Sequence, residues 1–121
     1  TDIPTDCSKT EPATIEIPAH SAPLGLVFIT SDKWPSQWKN NLLVAYHGSW
    51  NSSTPVGYKI VRFKVDKNGK VSETEDFIIG WLDQNKKNVY GRPVDLKFGP
   101  DGALYISDDE AGVIYRLTST Q

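Results

Sequence analysis

The chain has 121 residues, 38% of them hydrophobic and 23% charged, with a formal net charge of -2. That composition suits a folded domain rather than a disordered segment. There is no apolar run of about eighteen residues to span a bilayer, and the scattered lysines and arginines make no basic stripe for nucleic acid or an anionic membrane surface. The single Cys7 excludes an internal disulfide and has no His or second Cys at metal-ligand spacing, so it reads as a free thiol, with an intermolecular bond as the alternative.

Residues 1–13 carry Asp2, Pro4, Asp6, Ser8 and Pro12 without apolar periodicity and predict an extended leader. Thr14–Pro18 (TIEIP) alternates like a strand. From Pro23, PLGLVF places Leu24, Leu26 and Phe28 on one face, and Leu42–Tyr46 is apolar throughout, as a strand covered on both faces should be. Between these two, SDKWPSQWKN holds Trp34, Pro35 and Trp38 in a polar loop, where the indoles form either a small packed cluster or a sugar-stacking platform. Gly57–Asp66 alternates again, and Asp66-Lys67-Asn68-Gly69 predicts a hairpin turn because Asn-Gly tolerates positive φ. A fourth strand is expected through Glu75–Leu82, followed by a polar crossover at Asp83–Asn88. The pattern then restarts at Pro93 with PVDLKF, a turn at Phe98–Gly102, ALYISDD and GVIYRL, and stops without a fourth strand. No stretch has a helical period, so the fold class is all-β.

The inventory is one strand, then four, then three, which amounts to two four-stranded units cut at a fourth strand. Four-stranded units repeating at roughly 40–45 residues are the signature of β-propeller blades, and a closed propeller needs at least about four of them. The expected organisation is a leader at 1–13 and a two-blade segment at 14–121, in which 14–18 is a strand donated to a neighbouring sheet, 23–83 the first blade and 91–119 an incomplete second blade. The missing blades come either from other copies, three of which would close a homotrimeric ring, or from a chain that supplies the rest.

The runs PAHSAPLGLVF (18–28), HGSWN (47–51), VGYKIVRF (56–63), EDFIIGWL (75–82), GRPVDLKFGPDGALYISDD (91–109) and GVIYRL (112–117) resemble the closing part of the soluble quinoprotein sugar dehydrogenases, in the glucose/sorbosone dehydrogenase branch. The resemblance implies the last two blades of a six-bladed propeller that holds pyrroloquinoline quinone and calcium at its mouth and oxidises a sugar hydroxyl or hydrated aldehyde. It also implies a periplasmic or secreted location. In that family the catalytic base and the calcium ligands come from earlier blades. The family's Arg-x-Arg pair, which contacts the quinone carboxylates, is half kept here: Arg92 holds the first position and Val94 stands at the second.

Candidate site residues follow. Arg92 offers a guanidinium fork to a carboxylate, or else a salt bridge to Asp95 or Asp108. His47, at the end of an apolar strand and opposite Asp108 in the internal repeat, is the candidate proton acceptor from a sugar hydroxyl, or else a histidine bonded to a loop carbonyl. His20, Trp50 and Asn51 are further candidates for contacting the cofactor, set against backbone satisfaction for His20 and a cap on the blade interface for Trp50. Asp108 and Asp109, followed by Glu110, offer oxygens to calcium or form a solvated acidic turn. The rival function is a propeller module or scaffold without redox chemistry that binds carbohydrate or protein through Trp34, Trp38 and Trp50.

Overall fold

The computed structural model describes residues 13–49, 55–83, 85 and 88–120. Cys7, Trp50 and Asn51 lie outside the described residues, as does most of the expected leader. Seven strands are present: β1 (Pro23–Phe28), β2 (Leu42–Tyr46), β3 (Lys59–Val65), β4 (Val71–Ile78), β5 (Pro93–Phe98), β6 (Leu104–Asp108) and β7 (Val113–Leu117). They form a four-stranded sheet, β1-β2-β3-β4, and a three-stranded sheet, β5-β6-β7, with every neighbouring pair antiparallel. Among the described residues the only helical piece is a 3-10 turn at Ser36–Trp38. The all-β, two-blade architecture is therefore the one expected.

The two sheets pack face to face. Leu43, Ala45 and Ile60 from the first meet Leu96, Leu104 and Ile106 from the second, with Ile29, Trp34, Tyr58 and Trp81 completing the layer. Five residues of β2 in a row are buried, because the opposite face of that sheet is covered as well. There Leu42, Val44, Tyr46, Val61 and Phe63 form a second cluster, with Ile15 and Ile17 packed against it.

Within the single chain Thr14–Pro18 lies outside both sheets, and its two isoleucines pack on the outer face of the first sheet. One expectation is corrected: the fourth strand is Val71–Ile78 rather than Glu75–Leu82. It starts directly after the turn because Val71 pairs with Val65, and Leu82 makes only an isolated bridge to Val89. The Asp66–Gly69 turn is as predicted, with the Gly69 amide donating to the Asp66 carbonyl and Gly69 at φ +83.

Antiparallel order sorts the connections to two ends. Residues 29–41, 66–70 and 99–103 join strands at one end, the hairpin end. Residues 18–22, 47–49, 55–58, 79–83, 88–92 and 109–112 lie at the other, the mouth end.

Candidate functional site

At the mouth end the loop preceding β1 continues the pairing of β2: the His47 amide donates to the Ala22 carbonyl at 2.9 Å and the Gly48 amide to the Ser21 carbonyl at 3.0 Å. This pairing needs left-handed backbone at His20 (φ +67) and Ala22 (φ +52). Gly48 must be glycine, since it has φ +105 and a Cβ there would lie 2.8 Å from the Tyr58 ring. Tyr58 is itself buried at φ +61, in a region that a bulky residue rarely occupies.

Arg92 lies against this ring. Its guanidinium carbon is 4.7 Å from the Tyr58 ring centroid, Nη1 donates to the Gly48 carbonyl at 3.2 Å, and Nη2 donates to the Tyr58 hydroxyl at 3.1 Å. The Tyr58 hydroxyl in turn donates to the Ser49 carbonyl. A guanidinium has five N–H donors, and these two bonds leave three without a protein partner among the described residues. A half-buried, flat cation with spare donors is a seat for a carboxylate. Neither salt bridge weighed for Arg92 forms: its side chain goes to Gly48 and Tyr58, and only its backbone amide reaches Asp108.

The two adjacent aspartates part company. Asp108 is 3% exposed and turns inward. Its Oδ1 accepts the Arg92 amide at 2.9 Å and the Ala111 amide at 2.8 Å, while Oδ2 accepts the Tyr115 hydroxyl at 2.9 Å, and that hydroxyl also accepts the Trp81 indole N–H. Burial pushes its carboxyl up, but the Ala111 and Arg92 amides and the Tyr115 hydroxyl together outweigh this and hold it below the usual carboxylate range. Asp109 turns outward, and its Oδ1 lies 2.8 Å from His47 Nε2. His47 thus pairs with Asp109, not with Asp108, and this contact joins the two sheets across the mouth. No group of three or more His, Cys, Asp or Glu side chains converges among the described residues.

The other candidates fall elsewhere. His20 is exposed in the turn before β1. Val94 lines a shallow depression with Asp109, Val113 and Ile114. Trp34 is buried at the hairpin end, with its indole N–H on the Gly102 carbonyl at 2.9 Å and its ring against Phe77 and Phe98. Trp38 is half-buried and meets Phe77 edge-on at 5.0 Å. The packed-cluster reading of Trp34 and Trp38 is the one observed. Tyr58 escaped sequence reasoning. Its only signal was the preceding Gly57, which also takes positive φ and lies against Gly48.

The TrAA12-like family pattern matches residues 2–120. The chain is 40% identical over 111 residues to an uncharacterised protein of Borreliella burgdorferi, covering 91% of this chain and 29% of that protein. It is 33% identical over 119 residues to the pyrroloquinoline quinone-dependent pyranose dehydrogenase of Coprinopsis cinerea, covering 84% of this chain and 16% of the enzyme. The holo structure of that pyranose dehydrogenase's quinone domain superposes with a TM-score of 0.68 at 28% identity, over 93% of this chain and 31% of that domain. The chain therefore spans less than a third of the length of the relatives it matches.

Proposed function

The chain belongs to the TrAA12-like family, and on that premise we propose that it forms two blades of a pyrroloquinoline quinone-dependent sugar dehydrogenase propeller, with Arg92 anchoring a carboxylate of the quinone at the mouth. The carrying observation is the Arg92 guanidinium, fixed by Gly48 and Tyr58 with three donors to spare. A tricarboxylate ligand fits that donor set. When bound, the quinone supplies the two-electron acceptor for oxidation of a sugar hydroxyl.

This chain's own residues orient the ligand and handle a proton. Arg92 binds and orients an anionic edge. His47 has its Nε2 engaged by the Asp109 carboxylate, which favours the tautomer with Nε2 protonated and leaves the Nδ1 lone pair as the proton-accepting atom. Calcium does not fit what the described residues provide: Asp108 has its oxygens committed to two amides and a hydroxyl, and no three-ligand cluster stands beside it. The remaining blades of the ring come from other copies of the chain or from another stretch of polypeptide. A periplasmic or secreted location goes with the same proposal.

The test is sedimentation of the protein with and without added quinone and calcium, following quinone absorbance in the protein boundary. Co-sedimenting quinone that is lost in Arg92→Ala supports the proposal, and quinone that stays bound to Arg92→Ala refutes the anchor. In the same run the protein mass separates a self-assembled ring from a chain that needs other blades.

A further inference from the structure

Resting on the reading of Arg92 as a carboxylate anchor, we propose that Tyr58 is the positioning residue that makes Arg92 one, holding its guanidinium flat and aimed at the mouth. Three independent features of Tyr58 converge on this role.

The first is backbone strain. A non-glycine residue in the left-handed region is strained, and glycine or asparagine would sit at φ +61 far more easily. A tyrosine held there against that strain has compensating contacts, and these are what the side chain shows. The second feature is the stack. Gly48 lies so close to the ring that a methyl group would not fit between them, and the Arg92 guanidinium lies over the ring at 4.7 Å. The third is the hydroxyl, which bridges a donor and an acceptor: it accepts from Arg92 Nη2 and donates to the Ser49 carbonyl. Ring and hydroxyl restrain the guanidinium in different directions, the first setting its plane and the second its rotation within that plane. The Gly48 carbonyl, bonded to Nη1, supplies the other in-plane restraint.

Such a cation needs no reordering when an anion arrives. Loss of a cation–π contact and one hydrogen bond corresponds to roughly tenfold in affinity. Tyr58→Asn, which relieves the backbone, is expected to weaken pyrroloquinoline quinone binding about tenfold, while Tyr58→Phe, which keeps the ring, retains most of it. The trimethyl ester of the quinone, which lacks the carboxylates, is expected to bind wild type and Tyr58→Asn alike. Combining Tyr58→Asn with Arg92→Ala adds no further loss, since the first acts through the second. Unchanged quinone affinity in folded Tyr58→Asn, or an equal loss for the ester, overturns the proposal.

A second measurement needs no quinone. The Arg92 Nε–H resonance is expected to show the ring-current displacement of a proton over an aromatic face, kept in Tyr58→Phe and absent in Tyr58→Asn. A wild-type resonance without that displacement overturns the positioning role whether or not quinone binds. Wild-type protein that shows the displacement but takes up no quinone refutes the anchor reading instead and leaves the Tyr58–Arg92 stack standing.

Discussion

The two ends of the strand pair are built on opposite economies of backbone and side chain. At the hairpin end the chain turns in short hydrogen-bonded reversals, Asp66–Lys70 and Gly99–Ala103, with glycine where φ is positive and the Trp34 indole on the Gly102 carbonyl. The mouth end carries three of the four non-glycine residues with positive φ among the described residues, His20, Ala22 and Tyr58, and also the Arg92 guanidinium resting on Tyr58 and the buried Asp108. The fourth, Asn40, lies at the hairpin end and is a residue type that tolerates the conformation. Backbone strain concentrates at functional sites, and in this pair of sheets it collects at the mouth end, where Arg92 keeps unused donors, while the hairpin end carries little of it.

That contrast can be broken most forcefully at Trp34. Trp34→Ala removes a buried indole, its hydrogen bond and its contacts with Phe77 and Phe98, and is expected to cost about 3–5 kcal/mol in urea unfolding. Carboxylate binding in the variant that remains folded should be unchanged; a matching loss of binding would mean that the two ends are not separable.

A smaller effect is expected at Asp108. Asp108→Asn keeps the shape but turns an acceptor into a donor facing donors, at a cost of about 1–3 kcal/mol. The pH dependence follows from the depressed carboxyl. Its stabilising contribution is complete above the unfolded value of about 4 and is lost as the pH falls through the lower folded value. The variant should therefore lose part of the acid limb of the stability profile. It keeps the part due to Asp66 and Asp101, whose carboxyls are held low chiefly by the Lys70 and Ala103 amides respectively. An acid limb identical to wild type would mean that Asp108 is not ionised in its pocket. The smallest change is Gly69→Ala. With φ +83 and open space around its Cβ position, it tests backbone alone and is expected to cost about 1 kcal/mol by thermal unfolding, with the mouth unaffected.

Much of the scaffold was readable in the amino-acid sequence because its signals are local. The wholly apolar run Leu42–Tyr46, the Asn68-Gly69 turn and the repeated strand order each report on neighbours in the chain. β4 was misplaced because Ser72–Asp76 is polar on both faces of an edge strand, so neither periodicity nor hydropathy marks it. Thr14–Pro18 alternates like a strand, and within the single chain that alternation places Ile15 and Ile17 on a sheet surface.

The mouth was half readable. Arg92 and His47 stood out by residue type, but the partner of each depends on which way consecutive side chains point. Where β6 ends, Asp108 faces inward and Asp109 outward, so the repeat places Asp108 opposite His47 while the contact is made by the next residue. Tyr58 was unreadable because nothing in a tyrosine's identity announces a left-handed backbone.

The Asp66–Lys70 turn, exposed throughout and at the far end from Arg92, is a natural handle. Lys67 and Lys70 offer amines for a fluorophore or a surface linkage, and the open space at Gly69 allows a short peptide tag to be spliced in beside it. Because the turn closes through its own Asp66 bonds, such a graft loads the β3–β4 hairpin and leaves the mouth clear, so an immobilised molecule would present its mouth end to solution.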